Sequence, residues 1–223
     1  MRFDEMLMHA MQQLQKVQES MYLTYSLENK CQFEDACEEA FRLEDAAEKL
    51  MAMIRGLPAC AGHPKAKERV NAIIAKNVPI SAEYTPEGWF KLCIPALLPR
   101  KERGSADYIL GYLYPAIERF VLSNDRRDFN KSVIIFRHVY DYQRPERLFR
   151  DHDNIEINAV VDVLAHYLLR GDSPMRLAHF YDSACGEADC TEVYIVERYD
   201  YQRFLTALDN GEIGAPEVQL PQP

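Results

Sequence analysis

The sequence predicts an α+β protein: an N-terminal antiparallel helical hairpin followed by a small mixed β-sheet with packed helices. Two observations carry this. Residues 3–25 and 33–54 repeat apolar side chains at helical steps of three and four. From residue 79 onward, short branched and aromatic runs are bounded by proline, glycine and polar turns, interleaved with helical patterns. The reading divides the chain into a hairpin at 1–60, an α+β domain at 61–210 and a poorly ordered tail at 211–223, rich in Pro, Gly and Gln.

In the first helix, Phe3, Leu7, Ala10, Leu14, Val17 and Met21 recur at steps of four and three. Phe33, Ala36, Ala40, Leu43, Ala47, Leu50 and Ile54 do the same in the second. The link at 27–32 is short, so an antiparallel pair is expected, and the alanines permit close approach. Such a hairpin packs on the α+β domain or pairs with a second copy in a homodimer; the sequence leaves both open. Arg55-Gly56-Leu57-Pro58 is expected to end the second helix.

A shorter helix is expected over 65–76. Strands over 80–84 and 88–94 then pair across a Pro-x-Gly turn. The segment PALLPRKERGSADY places Arg100, Lys101 and Arg103 in an irregular stretch, the leading candidate for phosphate contact; it lacks the frame of a Walker loop. A helix from Ser105 or Asp107 to about 122 follows, kinked at Pro115. SVIIFRHVY over 132–140 reads as a buried strand carrying Arg137. Arg144, Arg147 and Arg150 then lead into RDHDNIEINAVVDVLAHYLLRGDS, residues 150–173.

That stretch holds the acids Asp151 and Asp153, Asn154 after them, and Asp172 after a glycine. Converging carboxylates raise one another's pKa unless a cation neutralises them, so a converging set points to a hard metal ion. A straight helix over 154–169 would hold Asp153 and Asp172 roughly 25 Å apart and exclude a shared ion. A helix stopping near residue 164 leaves enough chain to return. Asp153 and Glu156 also have the form of a capping box, and the arginines suit either a substrate phosphate or salt bridges to the aspartates. Asn158, Asp162 and His166 fall on one helix face. Strands over 175–181 and 191–197, joined by the acidic loop SACGEAD, and a helix over 201–208 complete the expected order.

With 48% hydrophobic and 27% charged residues, the composition is that of a soluble globular protein. No run long and apolar enough for a membrane span and no signal peptide are expected, which places the protein in the cytoplasm. The six cysteines form no CxxC pair, and Cys185-x4-Cys190 is looser than usual zinc spacings, so reduced thiols are expected. The net charge is −9, unevenly spread: Lys and Arg against Asp and Glu number 6 to 11 over residues 1–60, 16 to 10 over 61–150, and 4 to 14 over 151–223. A basic middle can track a phosphate backbone whatever the whole-chain balance.

Asp-x-Asp-Asn at 151–154, a helix with Asp162, and an acid nineteen residues after Asp153 resemble the signature of the RusA-like Holliday junction resolvases, over about residues 88–197. The resemblance implies a structure-selective endonuclease that cuts branched DNA as a homodimer. It also implies that Asp151, Asp153 and Asp172 are catalytic and hold Mg²⁺ or Mn²⁺, with Asn154, Glu156, Asn158 and Asp162 around them. Arg100, Lys101, Arg103, Arg137, Arg144, Arg147 and Arg150 are the candidate nucleic-acid contacts beside that site. One departure matters: Ile157 stands where the family has a catalytic lysine. It opens the alternative of a catalytically lapsed scaffold that binds a nucleic acid or a host nucleoprotein and blocks a defence system of the anti-CRISPR or anti-restriction type. EGWFKLCIPALLPRKERGSADYILGYLYPA and IIFRHVYDYQRPERLFRDHDN further resemble an uncharacterised family carried on conjugative elements of Firmicutes, which implies a mobile-element setting.

Overall fold

The computed structural model describes residues 2–101, 105–144 and 149–214. They form two compact units, residues 1–73 and 74–223, so the division falls beyond the expected one at 60.

The first unit is the expected antiparallel pair, α1 (Phe3–Asn29) and α2 (Phe33–Cys60). Cys31 makes the turn at φ 59°, an uncommon conformation for a side chain larger than glycine's. Ala10, Val17 and Leu50 form the buried core, flanked by Leu43, Ala46, Ala47 and Met53. A polar seam runs through it: Gln13 donates to the Ala46 carbonyl at 3.0 Å and Ser20 to the Glu39 carboxylate at 2.6 Å. α2 does not stop at Gly56-Leu57-Pro58 but continues to Cys60. The helix loses one hydrogen bond at Pro58, while Gly56 sits where a Cβ would come within 3.2 Å of the Met6 sulfur. The glycine there allows close packing of the helices and is not a stop signal.

α3 (Ala66–Asn77) contains the division between the units. The second unit has strands β1 (Ser81–Tyr84), β2 (Phe90–Ile94), β3 (Ser132–Asp141), β4 (Leu177–Gly186) and β5 (Cys190–Glu197) in the order β1-β2-β5-β3-β4. Among the described strands, β3 and β4 pair in parallel and the other pairings are antiparallel. β1 and β2 meet as expected through a turn closed by Thr85 and Trp89, with Gly88 at φ 93°.

Alternation along the strands gives the sheet two apolar faces. Phe90, Leu92, Ile134, Phe136, Val193 and Ile195 face α4 (Ser105–Ser123) and α5 (Asn158–Leu168). Trp89, Ile135, Tyr194 and Val196 face α6 (Tyr201–Asp209), where Phe204 packs edge-on against Trp89. The Trp89 N–H donates to Asp200. Pro115 lies inside α4, as the sequence indicated.

Two boundaries differ from expectation. The acidic helix starts at Asn158, not 154, because the chain before it is held extended: Lys101 N–H donates to the Asn154 carbonyl, Glu156 N–H to Pro99, and Arg100 bridges Ile155. The segment SACGEAD is strand up to Gly186, since Ala184, Cys185 and Gly186 pair with Val139, Tyr140 and Asp141 on β3. No helix among the described residues is long and apolar enough to cross a membrane.

Candidate nucleic-acid interface

The expected metal site depends on Asp172 returning to Asp151 and Asp153, and the fold prevents it. α5 runs on to Leu168, about 16 Å of helix. The chain then pairs with Phe129, through Leu168 and Arg170, ahead of β3. Ser173 and Arg176 are bonded around Ser132, the first residue of β3. The 151–154 segment sits at the other end, where the His152 ring stacks on His138. Ser132 and His138 are six residues apart along β3, about 20 Å at strand rise. The expected catalytic and metal set Asp151, Asp153 and Asp172 is therefore not assembled. Among the described residues no group of three His, Cys, Asp or Glu side chains could hold a metal ion.

The groups expected around that metal serve the helix and its surface. The Glu156 carboxylate accepts the Ala159 N–H and caps α5. Asn158, Asp162 and His166 share one exposed face of α5, as their spacing indicated. Ile157, at the position of the missing lysine, is buried in the apolar core.

Most of the expected nucleic-acid contacts are engaged within the fold. Arg137 is 1% exposed, with Asp182 at 3.2 Å and Glu192 at 3.6 Å; Lys91 closes the network at 3.2 Å from Glu192. The Arg144 guanidinium pairs with Asp189. Burial opposes ionisation of Asp189, yet this pair and the Asp141 N–H hold its carboxyl below the usual range. Arg150 donates to the Leu98 carbonyl, and Lys101 Nζ to the Asp153 carbonyl at 2.9 Å. Arg100 is exposed at its bridge to Ile155, whereas Arg103 and Arg147 lie outside the described residues.

A different set of cations gathers at the start of β3. Ser132 N–H donates to the Arg176 carbonyl and Arg198 N–H to the Lys131 carbonyl, so Arg176, Lys131 and Arg198 stand abreast on three neighbouring chain segments, about 4.8 Å apart. Arg170 joins them: its N–H donates to Phe129 and its carbonyl accepts Arg176 Nη1. All four side chains are exposed, and among the described residues none makes an ion pair with a carboxylate. Like charges directly abreast repel by a few tenths to about 1 kcal/mol per pair, a cost that an anion spanning the row would relieve.

At the opposite end of β3 lies an imidazole cluster. His138 is fully buried, and neither ring nitrogen meets a hydrogen-bond partner among the described residues. Burial first, then the charges of His152 and Arg150, push its pKa down to about 4. His152 Nε2 lies 2.9 Å from Ser183 Oγ, and its ring stacks on Tyr181 as well as on His138.

The model of a family of unknown function, DUF6100, matches residues 2–217. The chain belongs to that family. The DUF6100 match spans both the hairpin and the sheet unit. A comparison with curated proteins returned no match. Among solved structures, the periplasmic domain of Helicobacter pylori MotB (residues 90–256) is similar at 14% identity over 63% of this chain and 94% of that one, with a TM-score of 0.33, too low to carry an argument.

Sequence reasoning missed the Arg170, Arg176, Lys131 and Arg198 group for a definite reason. Three of the four come from residues 151–223, the most acidic third of the chain, and only strand pairing brings them beside Lys131. The available signal was that these three are among just four basic residues in that third.

Proposed function

We propose that this protein binds nucleic acid through the phosphate backbone, acting in the cytoplasm as a nuclease-like scaffold without metal-dependent turnover. The observation that carries this reading is the row Arg176, Lys131 and Arg198, with Arg170 beside it. Its like charges stand abreast without carboxylate partners among the described residues. Such a row of adjacent cations can neutralise neighbouring phosphates of a nucleic-acid backbone and release their counterions. The mobile-element resemblance is consistent with a protein that occupies DNA, RNA or a host nucleoprotein. The separation of Asp153 from Asp172 and the burial of Ile157 weigh against the endonuclease alternative.

The test is fluorescence anisotropy with labelled branched, duplex and single-stranded DNA and RNA across a salt series, beside a cleavage assay with Mg²⁺, Mn²⁺ or EDTA. Binding should weaken steeply with salt, and each of Lys131→Ala, Arg176→Ala and Arg198→Ala should reduce the log–log salt slope by about 1. Absence of binding, or binding that the triple substitution leaves unchanged, would refute the reading. Metal-dependent cutting abolished by Asp153→Asn would favour the endonuclease.

A further inference from the structure

The apolar stripe of the hairpin is only half used within the hairpin. Ala10 and Val17 are buried against α2, whereas Phe3, Leu7, Leu14 and Met21, from the same periodic series, remain 38–56% exposed. At 100° per residue, those four and Tyr25 fall within about 40° of one another, displaced by roughly 70° from the buried line of Ala10, Gln13 and Val17. On α2, Phe33 and Met51 are exposed to a similar degree and displaced in the same rotational sense, by roughly 90°, from the buried line of Ala36, Glu39 and Leu50, while Ile54, 41% exposed, lies at the edge of that line. Because the helices are antiparallel, rotations in the same sense bring both sets onto one side of the hairpin. The other side is polar: His9, Gln12, Lys16 and Glu19 line its groove.

We propose that this apolar side is an interface with a second copy of the chain, two hairpins closing into a four-helix bundle about a twofold axis. A pair of helices with just four buried apolar side chains among the described residues, Ala10, Val17, Ala36 and Leu50, is half of a layered structure and needs another layer. The exposed side chains present roughly 800 Å² of surface, about what each partner contributes to a standard stable interface. Charge narrows the choice of partner. Between residues 5 and 27 the α1 face carries Leu, Met, Tyr and Gln but no ionised group, so an acidic or basic partner finds nothing to pair with. A second hairpin offers the same surface, uncharged along α1, with Ala40 and Ala47 on α2 allowing close helix approach. The proposal is independent of the nucleic-acid reading.

Sedimentation velocity and light scattering on the full chain test it. The expected mass is that of two 25.9 kDa chains at micromolar concentration. Leu14→Glu with Met21→Glu should give a monomer of unchanged helical circular dichroism, while Gln12→Glu, on the polar side, should leave the dimer intact. Leu14→Ala with Met21→Ala, which raises helix propensity and so preserves α1, should weaken dimerisation about tenfold or more. A wild-type chain that stays monomeric would overturn the proposal, as would a dimer whose dissociation constant the alanine pair leaves unchanged.

Discussion

His138 makes the stability of the sheet unit depend on pH in a defined window. The ring is fully buried on β3, its nitrogens without hydrogen-bond partners among the described residues, and its pKa lies at about 4 against 6.5 for a free histidine. A histidine with a depressed folded-state pKa stabilises the fold fully above its unfolded value. That contribution is lost as pH falls from 6.5 towards 4, because only the unfolded chain takes up the proton there. At 1.36 kcal/mol per unit, the interval from 6.5 to about 4 amounts to about 3 kcal/mol. The perturbation is His138→Phe, which keeps an aromatic ring against His152 and removes the titration. Trp89, the chain's single tryptophan, is buried in the same sheet, so its fluorescence during urea unfolding follows this unit. From pH 6.5 down to 4, the wild type should lose about 3 kcal/mol more than the variant. At pH 7.5 and above the variant should match or exceed the wild type, since it no longer buries unpartnered ring nitrogens. Parallel stability curves for the two proteins would refute the reasoning.

The buried ion network and the thiol pair support three further predictions. Arg137→Met leaves Glu192, 2% exposed, without its central partner and should cost about 3–5 kcal/mol by chemical denaturation; adding Glu192→Met should recover at least half. Gly214→Ala places a Cβ 1.8 Å from Arg137 Nη1 at φ 92°, so it should destabilise the fold by about 1–3 kcal/mol and speed proteolysis after α6. A hydrogen bond from Cys190 holds the Cys93 thiol down to about 7, with Lys91 also favouring the thiolate, while Cys190 itself is pushed up by the same contact. Alkylation followed by mass spectrometry should therefore label Cys93 with a midpoint near pH 7, and Cys190→Ala should move that midpoint towards the ordinary thiol range.

Periodicity by itself determined the helical hairpin, the β1–β2 turn, the buried strand β3, the final helix and hence the α+β class, because each rests on local spacing of apolar residues that no distant contact reverses. That Asn158, Asp162 and His166 share one helix face was legible for the same reason. Tertiary structure alone decided the rest. Where α5 begins depends on the pairing of Asn154 to Glu156 with residues 99–101, and where Asp172 lies depends on the chain joining Phe129 instead of returning. Whether Arg137 binds phosphate or carboxylate depends on which neighbours β4 and β5 set beside it. The basic row exists only because β4, β3 and β5 end together. Spacing along the chain fixes which residues share a face, but long-range strand pairing selects which charges become neighbours, and that selection has no local signature.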